Sequence, residues 1–195
     1  MEFVAPPNSP DLRAGEAHAW RVELETVPAG LTLRRVLAPY LGEAAEEIEL
    51  AAGEHGKPRL AEEPERLGFN LSHSGRLALV AVARGREVGV DVERVRPERD
   101  LLALAERALA PEEAAAVREA AEPERARRFY ELWTRHEARL KCLGVGLASR
   151  PTWPIPPVAV QALPIDPGFA AALAVSGEAV PVRCWTFDQP RPFAG

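Results

Sequence analysis

Two segments constrain this chain more than anything else in it: Val88-Gly-Val-Asp-Val-Glu93 and, further along, Trp133-Thr-Arg-His-Glu-Ala-Arg-Leu-Lys141. The first alternates strictly. In an extended strand Val88, Val90 and Val92 point one way, and Gly89, Asp91 and Glu93 point the other. Two carboxylates then share a face, with no side chain at Gly89 to crowd them. The second segment has helical spacing. Glu137 and Lys141 stand at i,i+4 and project from one side of that helix. Folding that joins strand to helix gathers three carboxylates and an ammonium. Such a set suits a hard divalent cation holding phosphate oxygens. Taken singly, each piece has a plainer reading, as the wet face of a strand and a helix-surface ion pair.

The remaining pattern mixes helices and strands. Residues 1–14 carry Pro-Pro-Asn-Ser-Pro and read as an irregular arm. Trp20, Val22 and Leu24 alternate with charged residues, which predicts a half-exposed strand over 19–25. Apolar spacing predicts a helix over 31–41, kinked or shortened by Pro39 and ended by Gly42. A short strand is expected at 48–50, a loop at 53–59, and an apolar strand at 77–83 that turns into the Asp91 strand. Helices follow at 101–109, from Pro111 onward, and over 124–143 with Gly144 as the stop. Strands near 158–163, 169–175 and 182–187 complete the set. Strict βαβ alternation is missing, so the class is α+β.

Composition narrows the functional classes. Hydrophobic content of 47% with 27% charged residues is that of a soluble globular chain. A net charge of −5 argues against non-specific nucleic-acid binding. No apolar run is long enough to span a bilayer, and the first residues lack the basic start and apolar core of an export signal. The expected location is the cytoplasm. Cys142 and Cys184 form no CxxC pair and are expected as free thiols. Of 24 basic residues only Lys57 and Lys141 are lysines. Each lies in a segment singled out on other grounds, and lysine presents a point charge to phosphate where arginine presents a fork.

Four segments occur together in a recognisable order: Gly-Lys-Pro at 56–58, Phe-Asn-Leu-Ser-His-Ser at 69–74, and the two segments at 88–93 and 133–141. In this the chain resembles the 4′-phosphopantetheinyl transferase superfamily, in its Sfp-like type. The resemblance implies two pseudo-symmetric α/β lobes with the site in the cleft between them. Residues 1–87 would form a shortened N-terminal lobe, and 88–195 a C-terminal lobe carrying the metal site. Asp91, Glu93 and Glu137 would ligate magnesium, with manganese as the alternative. Lys57, Pro58, Ser72 and His73 would contact coenzyme A. Lys141 would bind the pyrophosphate and neutralise charge developing on it, and Glu137, directly or through a metal-bound water, would act as base on the attacking serine.

The implied reaction moves the 4′-phosphopantetheine arm of coenzyme A to a serine of an apo acyl or peptidyl carrier protein, releasing 3′,5′-ADP. The implied partners are coenzyme A and the carrier, without nucleic acid or membrane. A monomer suffices, because both lobes lie in one chain. An acidic carrier would dock near Arg118 and Arg125 to Arg128, unless that stretch is simply a solvated helix face.

The sequence departs from the family pattern in three places. His136 replaces the usual lysine before the motif glutamate. Ala110 replaces a capping serine or threonine before Pro111. A short link at 26–30 replaces an arginine-rich stretch that serves the coenzyme 3′-phosphate, a duty for which Arg34, Arg35 or Arg59 are the candidates. Two other readings remain open: a non-catalytic descendant that binds coenzyme A or a carrier, and a nucleotide hydrolase using the three carboxylates.

Overall fold

The computed structural model describes residues 2–7, 10–24, 28–53, 56–62, 67–97, 100–145 and 156–187. Part of the 26–30 link and part of the 53–59 loop lie outside these residues. Four strands form the first sheet: β1 (Ala17–Glu23), β4 (Gly68–Ser74), β5 (Leu77–Ala83) and β9 (Val182–Phe187), in the order β4-β5-β1-β9. β5 lies antiparallel between β4 and β1, and β9 runs parallel to β1. β6 (Val88–Arg94), β8 (Phe169–Ser176) and β7 (Val158–Ala162) form a second, antiparallel sheet in the order β6-β8-β7. Both faces of the first sheet are apolar, which is why all seven residues of β5 are buried.

One face, with Trp20, Val22, Val80 and Val82, packs on Leu33, Val36, Leu37 and Tyr40 of α1 (Ala29–Leu41). The opposite face, with Ala17, Ala19, Leu79 and Ala81, packs on Val88, Val90, Val92 and Leu173 of the second sheet. The valines of β6 thus fill the core between the sheets, and Gly89, Asp91 and Glu93 face away. The long helix α4 (Glu122–Leu143) covers that outer face. The layers run α1, sheet, sheet, α4. Two shorter helices, α2 (Leu101–Ala108) and α3 (Pro111–Glu119), pack with the first half of α4. The chain passes from the first sheet to the second between β5 and β6, and β9 returns to the first sheet beside β1.

Several local expectations change. The short strand lies at β2 (Leu50–Ala52) rather than 48–50, because Ile48 is drawn into the first core. Its partner β3 (Pro58–Leu60) takes the end of the expected loop. Pro58 is tolerated there as the first residue of a strand. Pro39 does not shorten α1, which runs on to Leu41. Gly42 then adopts φ 73° and donates to the Ala38 carbonyl, as a left-handed C-terminal cap. Ala110 offers no side-chain cap, but Glu113 accepts from the Ala110 N–H at 3.2 Å, which is half of a capping box. No helix among the described residues is long and apolar enough to cross a membrane.

Candidate functional site

The site exists because α4 comes unusually close to β6. A Cβ placed on Gly89 would lie under 3.0 Å from the Ala138 carbonyl oxygen and the Cys142 nitrogen, both main-chain atoms of α4. The glycine therefore makes room for the helix backbone, and not for the neighbouring carboxylates as the strand pattern suggested. Ala138, Cys142, Ala172 and Ala174 keep the rest of this contact thin. The approach lays Glu137 and Lys141 over Asp91. Asp91 is 3% exposed and Glu137 is 8% exposed, so the outer face of β6 is not a wet one at this point.

β4 supplies the second part of the site. The sequence pattern of β4 alternates, with Phe69 and Leu71 toward α1 and Asn70, Ser72 and Ser74 toward β6. These three side chains accept hydrogen bonds from the main-chain N–H groups of Val90, Val92 and Arg94, at 2.9, 3.4 and 3.0 Å. Side chains of one strand thereby satisfy the free edge of another, as buried backbone donors require. Two of the three also reach the carboxylates. Ser72 Oγ donates to Asp91 Oδ1 at 2.8 Å, and Ser74 Oγ donates to Glu93 Oε2 at 2.9 Å. The Lys141 ammonium donates to Asp91 Oδ1 at 2.6 Å and to Ser72 Oγ at 3.1 Å.

Two oxygens in this cluster are left over. Asp91 Oδ2 and Glu137 Oε1 are buried and, among the described residues, accept no hydrogen bond. An unpaired buried acceptor costs about 1–3 kcal/mol, and more when charged. The Glu137 carboxyl is pushed up to about 7, first by burial, then by the Asp91 charge, with Lys141 pulling it down and Glu93 adding to the rise. The arrangement calls for positive charge beyond what Lys141 provides. Among the described residues no three His, Cys, Asp or Glu side chains form a ready-made metal cage. Magnesium does not need one, since it keeps several waters and takes one or two carboxylates together with substrate phosphates. Two orphaned, hard oxygen donors beside an ammonium fit that chemistry.

Lys57, Pro58 and His73 lie apart from this cluster. Lys57 donates to Glu87 Oε2 at 2.6 Å and to the Val88 carbonyl at 3.1 Å, at the start of β6. With Pro58, Arg59, Gly68, Phe69 and Cys142 it lines a cleft of about 250 Å³ beside the last turn of α4. Asp91 is four residues along β6 from Glu87, about 13 Å away by strand rise. His73 is exposed and lies on the opposite face of β4 from Ser72 and Ser74. Ser72 is at the centre of the cluster with its hydroxyl fully used. Asn70 and Ser74 were not anticipated, although the polar alternation at 70, 72 and 74 was visible in the sequence. Arg118, Arg125 and Arg127 are engaged by Glu106, Glu122 and Glu131. Both cysteines are buried free thiols, each pushed up to about 11, mainly by burial.

Residues 87–186 match the family model described as the 4′-phosphopantetheinyl transferase superfamily. The matched stretch contains β6 and α4, the two elements that build the cluster. Among curated proteins the chain is similar to 4′-phosphopantetheinyl transferase HetI of Nostoc sp., with 34% identity over 170 residues, which is 80% of this chain and 72% of that protein. It is similar to 4′-phosphopantetheinyl transferase AcpT of Salmonella typhi, with 34% identity over 74% of this chain and 69% of the relative. A 4′-phosphopantetheinyl transferase of Bacillus subtilis is 29% identical over 63% of this chain, which spans about half, 53%, of that protein.

Proposed function

Since the chain belongs to the 4′-phosphopantetheinyl transferase superfamily and is an enzyme of that type, we propose that it transfers the phosphopantetheine arm of coenzyme A to a serine of an apo carrier protein. The observation that carries this reading is the pair of buried, unpartnered oxygens on Asp91 and Glu137 beside Lys141. Asp91, Glu137 and Glu93 would hold magnesium. When bound, the ion would neutralise charge on the pyrophosphate and hold it in place. In the reaction the serine oxygen bonds to the β-phosphorus of coenzyme A, and the bond from that phosphorus to the bridging oxygen breaks. 3′,5′-ADP departs with the electron pair.

Lys141 approaches from the end of α4 and would meet the charge that grows on the departing phosphate. Glu137, ionised beside the bound cation, would take the serine proton directly or through a water. The Lys57 cleft would bind the nucleotide end of the coenzyme. Lys57 would exchange Glu87 for a phosphate there. Such an exposed pair is worth at most about 1 kcal/mol, so the exchange is easy. Arg59 lines the same cleft and is the nearest candidate to replace the absent arginine-rich stretch. The Sfp-like type with two pseudo-symmetric lobes, a monomeric state and a cytoplasmic location belong to the same proposal.

The test is the intact mass of an apo carrier protein after incubation with this protein, coenzyme A and magnesium. The expected result is a gain of one phosphopantetheine arm that EDTA prevents. Asp91→Ala should lower the rate at least about 100-fold while the protein stays folded. Near-parental transfer by Asp91→Ala would show that the cluster is not the active site. Phosphate release without any carrier would favour a hydrolase instead.

A further inference from the structure

Within the reading above, we propose that Ser72 and Ser74 are positioning residues for the metal and phosphate site, turning Asp91 and Glu93 toward it from outside. A serine hydroxyl has one hydrogen to donate and two lone pairs. Ser72 Oγ has three partners: the Val92 N–H, the Lys141 ammonium and Asp91 Oδ1. The first two can only donate, so the single hydroxyl hydrogen goes to Asp91. In this arrangement the hydroxyl hydrogen and both lone pairs of Ser72 are engaged.

The consequence is asymmetric. Ser72 and Lys141 together secure Oδ1 of Asp91, and Oδ2 is the oxygen left free. Ser74 repeats the scheme one pleat further on. It accepts from the Arg94 N–H, and its hydrogen goes to Glu93 Oε2. The main-chain bonds fix each hydroxyl to the β6 edge, so each carboxylate is oriented relative to its own strand. Asn70 is the internal comparison. It caps the Val90 N–H from the same stripe and, among the described residues, has no bond to a carboxylate. A purely structural stripe would make all three residues equivalent. A positioning stripe sets Ser72 and Ser74 apart.

The experiment compares Ser72→Ala, Ser74→Ala and Asn70→Ala with the parent. Manganese is titrated into each protein with coenzyme A present, and the free ion is read by its EPR signal against a protein-free control. Thermal melting and the kinetics of carrier modification are measured on the same samples. Outer residues of this kind typically contribute 10–100-fold to metal affinity, so Ser72→Ala and Ser74→Ala should each weaken manganese binding by about that factor. Their kcat should fall with little change in the KM for coenzyme A. Asn70→Ala should lower the melting temperature while keeping the parental manganese affinity. Should Ser72→Ala fail to fold, Ser74→Ala at the rim decides the matter. Parental affinity in both serine variants, or an equal loss in Asn70→Ala, overturns the inference. Absence of manganese binding in the parent itself would instead overturn the metal reading on which the inference rests.

Discussion

Replacing Gly89 by alanine should dismantle the site without touching any polar group in it. The added Cβ would sit inside 3.0 Å of the Ala138 carbonyl oxygen and the Cys142 nitrogen, and at 3.0 Å from the Lys141 carbonyl carbon. All three are main-chain atoms of α4, so no side-chain rotation relieves the contact. Carbon–oxygen contacts settle near 3.3–3.6 Å, so α4 must retreat from β6 by roughly 1 Å. Overpacking of this kind costs about 1–3 kcal/mol. For a chain of this size that corresponds to roughly 2–12 °C in Tm. Activity should suffer more, because α4 carries both Glu137 and Lys141 while β6 carries Asp91. A 1 Å misplacement of reacting groups can cost about 100-fold. The assay pairs a thermal melt with the rate of carrier modification by intact mass. The expected result is a modest fall in Tm and a large fall in kcat, well beyond what the melt would suggest. If Gly89→Ala keeps transfer within a few-fold of the parent, the close approach of helix and strand is not what assembles the site.

Two further outcomes are expected. Glu87→Gln should release Lys57 from its 2.6 Å ion pair and leave it held only by the Val88 carbonyl, so KM for coenzyme A should fall two- to five-fold, about 0.4–1 kcal/mol, while kcat is unchanged; a raised KM would show that Glu87 orients Lys57 rather than competing for it. Stability should decline on the acid side through His18, which is fully buried, bonded at Nδ1 to Tyr40, and held below its ordinary 6.5 mainly by burial. The unfolded chain takes up a proton as pH drops below 6.5 and the folded chain does not, so this contribution is complete above 6.5 and is lost as pH falls toward the folded value. His136 acts in the same sense, whereas Glu137, raised to about 7, makes the fold less stable as pH rises through that value. The difference between denaturation curves of the parent and His18→Gln, taken from pH 7.5 to 5, isolates the histidine; equal slopes would remove it as the cause.

The sequence made the halves of the site legible where periodicity alone places a residue. Alternation at 88–93 placed Asp91 and Glu93 on one face of β6, and i,i+4 spacing placed Glu137 with Lys141 on α4. What joined them was not legible. Gly89 looked like a gap beside carboxylates, because a strand pattern says nothing about a helix backbone arriving from the next layer. The resemblance marks Ser72 and His73 in the 69–74 segment without saying which face of a strand each occupies. The segment's alternation of Phe69 and Leu71 with Asn70, Ser72 and Ser74 would have shown a strand with one polar face. That polar stripe is unusual in that it faces another strand inside the protein rather than solvent, which composition cannot reveal. β9 could be predicted as a strand, yet its pairing with β1 at the far end of the chain is a long-range contact that no local pattern encodes.

The two sheets explain why a charged cluster is tolerated so deep in the protein. Unpaired, Asp91 would be an unsatisfied buried charge of the kind that costs several kcal/mol. It is instead tied to Lys141 and Ser72, and that tie uses only one of its oxygens. Packing alone would favour apolar residues at Asp91 and Glu137, as at Val90 on the other face of the same strand, since buried ion pairs rarely outperform well-packed hydrophobes. The fold therefore keeps two incompletely satisfied carboxylates at the seam between β6 and α4, where the stabilising interactions come from elsewhere: the valine face of β6, the alanine contacts of β8, and the polar caps from β4. Those surroundings let the cluster remain short of positive charge in the free protein, which is what the proposed binding of a cation requires.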